Sequence, residues 1–271
     1  MDWLSWIKTF APSLVAGLAL VSVGGGRLLA LAAAIGLALA AVLLHDWPRL
    51  PHELWQRPSG RPWLFWCLIF ATLVTSFERW RWLPPRGGLW VGLLLGGASA
   101  WFVLWQAARG EGFAWILPHV GAAVLITGGA VFASRSLIER ASDSPLMAFV
   151  FVAAFAVDFA VLDLTDCYWQ AATIGACAAT VVAGIATAMW HEPLKLAPAD
   201  GVWLGIAHAL VLIAGAELGS LPWTVAALAA ITPALPLVLP KSFAKERPKR
   251  WTFVALVLLA LPAAGAIALV S

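Results

Sequence analysis

Charged residues are scarce in this chain. Asp, Glu, Lys and Arg together make up 11% of its 271 residues, whereas hydrophobic residues make up 62%. A soluble domain of this size cannot bury so much apolar surface, so the composition excludes a water-soluble globular protein. Cysteine occurs three times. Cys67, Cys167 and Cys177 lack metal-site spacing and do not indicate a disulfide framework.

The motifs of common enzyme classes are also missing. His52-Glu53 and His191-Glu192 lack the second His that a zinc-protease helix requires, and neither a phosphate-binding loop nor a GxSxG elbow occurs. We therefore expect no enzyme activity, no metal site and no nucleic-acid partner, and no cofactor is indicated. The alternative is a membrane enzyme acting on lipid-linked substrates, for which the loop 45–61 is the only candidate site.

Long apolar runs separated by short charged loops fill the chain instead. A bilayer-spanning helix needs about 20 mostly apolar residues, and runs so uniformly apolar do not suit barrel strands. We expect an all-α, polytopic transmembrane helix bundle of about ten spans that forms a single membrane domain, 1–271. The predicted spans are 5–23, 27–44, 61–77, 89–107, 113–133, 145–163, 168–190, 201–219, 222–240 and 251–270. Nine or eleven spans remain open, because the short spans one and two meet at Gly24–Arg27 and span nine contains Pro233 and Pro236.

The positive charges predict the orientation. Loops that follow odd-numbered spans hold 12 of the 17 Lys and Arg residues, and the N-terminal tail and the other loops hold 5. The side that carries the excess is expected to be cytoplasmic, with both termini outside, in an inner (plasma) membrane. The protein has 17 Trp residues, and many of them lie at predicted span ends, as in an interfacial aromatic belt. The lipid bilayer is the first predicted partner.

A weak internal similarity favours two inverted halves, 1–140 and 141–271. In Ala41–Pro51 and in Ala188–Pro198, a His-acid pair follows the apolar run, and then come Pro, a cation and a second Pro. Five spans per half is an odd number, so the halves would be inverted, as in many transporters. Spans four and nine would then be the interrupted pair, the latter through Pro233 and Pro236. Ordinary Gly packing and Pro kinks are the alternative explanation.

Ionisable residues at membrane depth are costly and indicate function. Asp158 lies about 20 Å from the cytoplasmic end of span six, and His119 about 9 Å below the outer surface in span five. In a hydrocarbon core of about 30 Å these depths nearly coincide, so we expect that the two residues meet as a proton-labile couple. The alternative is that each bonds a separate neighbouring group. For His208, in the middle of span eight, a hydrogen bond to a neighbouring helix is favoured over haem ligation.

Three further acidic residues are expected on the outer side. Asp163 and Asp166 share a face if the helix of span six continues, and Glu217 ends span eight. No Lys or Arg accompanies them in the second half, so this patch is a candidate attractor of cations toward Asp158. Solvated loop carboxylates are an equally good explanation.

These observations favour a proton- or cation-coupled secondary transporter. The candidate ion- or substrate-binding residues are Asp158, His119, Asp163, Asp166, Glu217 and His208. The alternative function is a non-enzymatic subunit or scaffold of a larger membrane complex. Small and aromatic residues that suit packing against other membrane subunits support this alternative.

Overall fold

The computed structural model describes residues 3–43, 60–82, 84–108, 112–140, 146–190 and 194–231. Within these ranges the regular structure is helical throughout, as the sequence predicts. A 3₁₀ turn, Gly25–Leu28, joins the first two helices. The α-helices of these ranges are α1 (Trp3–Gly24), α2 (Leu29–Leu43), α3 (Gly60–Arg79), α4 (Pro85–Ala108), α5 (Phe113–Arg140), α6 (Leu146–Leu164), α7 (Tyr168–Ala188), α8 (Asp200–Leu218) and α9 (Trp223–Ile231).

Six segments of the described chain are long and apolar enough to cross a membrane. The first, Trp3–Leu43, is 41 residues long and contains both α1 and α2. The other five correspond to helices α4 to α8. Length and composition therefore indicate a helical multi-pass membrane protein. Helix α3, at the predicted span 61–77, is not among these six. The predicted span 251–270, and the part of span nine beyond Ile231, lie outside the described residues, so the total of ten stays a prediction.

The first two helices form a tight hairpin. Gly25 has a φ of +60° at the turn between them, a backbone conformation that glycine adopts without steric cost. Further along the pair, a Cβ atom at Gly36 would lie 2.5 Å from the Cα atom of Ser13. The two backbones are therefore in direct contact, and the predicted spans 5–23 and 27–44 are two separate helices.

Helix α8 is the central helix of the described bundle. It packs against α3, α4, α5, α6, α7 and α9, and every residue from Asp200 to Gly215 is buried. Its contact with α5 is especially close, because a Cβ atom at Gly205 would lie 2.7 Å from the carbonyl oxygen of Ala130. Polar side chains on α8 are therefore enclosed by other helices of the same chain.

Candidate functional site

A buried acid–imidazole pair, Asp158 on α6 and His208 on α8, lies within the helix bundle. The Nδ1 atom of His208 is 2.6 Å from Oδ2 of Asp158, and each side chain is only 1% exposed. With a rise of 1.5 Å per residue, Asp158 lies about 9 Å from the outer end of α6 and His208 about 15 Å from the outer end of α8. Both groups therefore lie well inside the spans.

The second ring nitrogen of His208 contacts α9. Nε2 lies 3.1 Å from the backbone carbonyl oxygen of Ala229. In a regular helix this carbonyl accepts from the N–H group four residues later, which here is Pro233. Proline has no backbone N–H to donate, so the Ala229 carbonyl needs another donor. His208 supplies it and connects α9 to α6 through a single imidazole ring.

The carboxyl group of Asp158 can accept a further hydrogen bond. Its Oδ1 atom is buried and has no hydrogen-bond partner among the described residues. The helix around it is apolar, with Phe151 and Phe155 both nearly fully buried in the core. An ionised carboxylate accepts several hydrogen bonds, so this atom offers a position for a proton or a water molecule.

The expected couple between Asp158 and His119 is wrong. The Nδ1 atom of His119 is hydrogen-bonded to the carbonyl oxygen of Trp115 at 2.9 Å, and the two rings are stacked with centroids 4.2 Å apart. The ring of His119 also meets the edge of Trp223 on α9. The expected bond from His208 to a neighbouring helix is confirmed, and its partners are on two helices.

The acidic residues of the outer side do not converge on the pair. Helix α6 ends at Leu164, and Asp166 has a φ of +58°, so Asp163 and Asp166 do not share one helix face. The hydroxyl of Tyr168 donates to Asp166 Oδ1 at 2.5 Å. Trp223 Nε1 donates to Glu217 at 2.7 Å. Aromatic donors at the helix ends therefore hold two of these three carboxylates.

A second polar cluster, which the sequence reasoning missed, lies at the opposite end of the bundle. This four-residue ion cluster consists of Glu78, Arg79, Arg135 and Asp200. Arg135 binds Glu78 with two parallel hydrogen bonds, of 2.7 and 2.6 Å. Arg79 binds Asp200 at 2.5 Å, and the Asp200 side chain is fully buried. Two cations and two carboxylates therefore neutralise each other there.

The ion cluster joins the chain segments at one end of the bundle. Arg79 also donates to the carbonyl oxygens of Gly26, in the 3₁₀ turn, and of Lys195, in the loop before α8. These contacts bring together the turn after α1, the ends of α3 and α5, and the start of α8. The sequence assigned all of these segments to the cytoplasmic side. It treated their arginines as loop charges, whereas Arg79 and Arg135 are mostly buried in ion pairs.

The described residues contain no group of three or more His, Cys, Asp or Glu side chains that could hold a metal ion. The three cysteines are buried and free. The loop 45–61 is the candidate site for an enzyme that acts on lipid-linked substrates. Its residues 45–59 lie outside the described residues.

Comparisons with protein-family models, with curated proteins and with solved structures find no match to this chain. Fold and site together define a class, a helical multi-pass membrane protein with a buried acid–imidazole pair.

Proposed function

We propose that this protein is a secondary transporter of the inner (plasma) membrane and not an enzyme, and that its coupling ion is a proton or another cation. The Asp158–His208 pair carries the proposal. Two ionisable side chains in a fully enclosed, apolar part of a membrane bundle are rare and mark ion or proton pathways in membrane proteins.

Stability alone does not account for the pair. Replacing a buried ion pair by apolar residues of similar volume is often neutral or stabilising. Asp158 and His208 are each 1% exposed, so their desolvation is close to complete. This chain has few charged residues, and yet two ionisable side chains face each other at this position. Binding of a proton or cation is a role that apolar residues cannot fill.

The contact with α9 supports the same function. Interrupted helices in transporters expose backbone carbonyls at the binding site. Pro233, four residues after Ala229 in the sequence, has no N–H that could donate to the Ala229 carbonyl, and His208 donates to this carbonyl instead. The pair therefore connects a titratable carboxyl group on α6 to a backbone carbonyl of α9.

The packing of the described helices supports two related halves. The pairs α1–α2, α2–α3 and α3–α4 are in contact, and so are α6–α7, α7–α8 and α8–α9. Across the halves, α2 packs on α7 and α3 on α8, as an inverted repeat requires. The large contact between α1 and α7 has no equally large counterpart between α2 and α6 among these helices. The contacts of the described helices therefore support the proposed halves 1–140 and 141–271 only in part.

A subunit or scaffold of a larger membrane complex is the second candidate function. The complete enclosure of Asp158 and His208 favours it, because buried polar groups also fasten transmembrane helices together. The lipid bilayer and other membrane subunits would then be the partners. The two functions differ in whether a proton or another cation crosses the membrane when the pair is intact.

The test is proton movement in proteoliposomes that contain a pH-sensitive dye. Probe solutes, including sodium ions, amino acids and organic cations, are added one at a time across an imposed pH gradient. We expect that at least one solute dissipates the gradient with wild-type protein. Asp158→Asn should abolish this flux, and the matched control Glu139→Gln, at an exposed carboxylate near the end of α5, should retain it. Equal flux in Asp158→Asn would remove the pair from the mechanism, and no flux with any probe would favour the subunit.

A further inference from the structure

The number of protons on the acid–imidazole pair follows from the chemistry of its partners. A backbone carbonyl oxygen can only accept a hydrogen bond. The 3.1 Å contact between His208 Nε2 and the carbonyl oxygen of Ala229 therefore requires the ring proton on Nε2. That leaves Nδ1 and Asp158 Oδ2 facing each other at 2.6 Å. Both atoms carry lone pairs when unprotonated, so a hydrogen bond of this length holds one proton between them.

From this geometry we infer that the structure shows the proton-loaded state of the pair, that the coupling ion is this proton, and that its release separates α6 from α8 and α9. The inference rests on the proposed function and identifies its coupling ion. With the proton on Nδ1 the pair is imidazolium and carboxylate, and with the proton on Oδ2 it is imidazole and carboxylic acid. The net charge is zero in both forms.

Release of the proton to water changes this balance. The pair then consists of a carboxylate and a neutral imidazole that keeps its Nε2–H, with a net charge of −1. The lone pairs of Nδ1 and Oδ2 face each other, and the attraction that held the two helices together becomes repulsion. A buried carboxylate without a donor is strongly disfavoured, so α6 must move to bring Asp158 to water or to another donor.

No other described ionisable group can supply a proton to the pair in place of the one that is released. At comparable depth, α3, α5 and α7 contribute Cys67, His119 and Cys177, and the described part of α9 contributes none. Among the described residues, the only charged group that acts on Asp158 is His208, and the only one that acts on His208 is Asp158. The remaining ionisable residues of the helices around the pair lie toward the helix ends. Among the described residues, the pair therefore has no charged neighbour at its own depth.

A metal cation fits this site less well than a proton. Hard cations take six or more oxygen ligands, in the manner of magnesium and calcium. Asp158 Oδ1 is the one carboxylate oxygen at the pair that has no partner among the described residues. The other two oxygens, Asp158 Oδ2 and the Ala229 carbonyl, are already bonded to the imidazole.

Nitrogen NMR of selectively ¹⁵N-histidine-labelled protein in lipid nanodiscs tests the proton directly. The chain has five histidines, and His208→Gln assigns the signals of His208. We expect Nε2 to stay protonated between about pH 5 and pH 10, while Nδ1 changes from a hydrogen-sharing to an unprotonated nitrogen within that range. An Nδ1 signal that at about pH 5 already lacks any shared proton, either on Nδ1 or donated from Oδ2, or a signal that never changes, would overturn the inference.

Hydrogen exchange tests the movement of α6. In Asp158→Asn the amide N–H can donate to Nδ1 of the neutral imidazole, and the amide oxygen can accept from Nδ1–H of the imidazolium, so this variant keeps a hydrogen bond at every pH. The ratio of exchange rates of α6 peptides between wild type and Asp158→Asn cancels the chemical effect of pH. We expect a ratio near one at about pH 6 and about tenfold faster exchange in wild type at about pH 9. Glu139→Gln, at an exposed carboxylate near the end of α5, is the matched control and should follow wild type at both pH values.

The outcomes separate the inference from the proposed function. A ratio that stays within about twofold while Nδ1 titrates would show that the proton does not hold α6, and would overturn the inference. If Asp158→Asn does not fold, the wild-type nitrogen titration alone decides. A protein that passes both tests but moves no proton with any probe solute keeps the shared proton and the movement of α6, and contradicts both the transport proposal and the role of this proton as the coupling ion.

Discussion

Removing the two members of the acid–imidazole pair should have unequal effects on stability. Replacing Asp158 by Leu leaves one polar atom without a partner, Nδ1 of His208, because Nε2 keeps its bond to Ala229. Replacing His208 by Leu leaves two, Asp158 Oδ2 and the Ala229 carbonyl, since Pro233 cannot donate to that carbonyl. Each buried polar group left unpaired costs about 1–3 kcal/mol. We therefore expect a loss of about 1–3 kcal/mol for Asp158→Leu and of about 2–6 kcal/mol for His208→Leu.

The double variant provides the internal check. With both side chains replaced by Leu, only the Ala229 carbonyl remains without a donor, so the double variant should be more stable than His208→Leu alone. Thermal unfolding in detergent, followed by the fluorescence of the 17 Trp residues, measures all three variants against wild type. If Asp158→Leu is as destabilising as His208→Leu, or if the two effects simply add, the assigned bonding of the imidazole is wrong.

Three further predictions concern the scaffold around the pair. Gly205→Ala should destabilise the protein by about 1–3 kcal/mol, because the added methyl group meets the α5 backbone, whereas Gly129→Ala has open space and should be neutral by the same melting assay. Arg79→Ala should lower the free energy of unfolding by about 3–5 kcal/mol, because it leaves Asp200 buried and unpaired. The control Arg86→Ala, at an exposed residue, should change it by no more than about 0.5 kcal/mol. Equal effects of the two variants would contradict the ion cluster. In intact cells an impermeant thiol reagent should label Ser220→Cys but not Arg86→Cys, and the opposite result would reverse the orientation.

The apolar runs were sufficient to predict most of the described helices. Span eight, predicted at 201–219, is observed as Asp200–Leu218. Span five, predicted at 113–133, continues to Arg140. A hydropathy profile ends the span before Arg135, because a charged residue lowers the mean hydropathy. In the structure Glu78 neutralises the charge of Arg135, and the helix continues. An ion pair between residues 57 positions apart cannot be read from local composition.

The partner of Asp158 could not be predicted from its depth, because depth gives the height of a residue in the membrane and not its position in the membrane plane. His119 and Asp158 were expected at similar heights, yet α6 packs against α7 and α8, and His119 lies on α5. Helix neighbours and helix rotation decide which side chains meet, and neither follows from a hydropathy profile. One local signal was present, since Pro233 implies that the Ala229 carbonyl lacks its helical donor. That signal predicts a polar partner near residue 229, and the structure supplies it as His208.

Two experimental structures of the wild-type protein in lipid nanodiscs, at about pH 5 and about pH 9, test the central claim most directly. At the lower pH we expect the bond between His208 Nδ1 and Asp158 Oδ2 at its present 2.6 Å, with the pair enclosed. At the higher pH we expect that the two atoms are beyond hydrogen-bond distance and that Asp158 has moved with α6 toward water. An unchanged, enclosed pair at both pH values would contradict the claim.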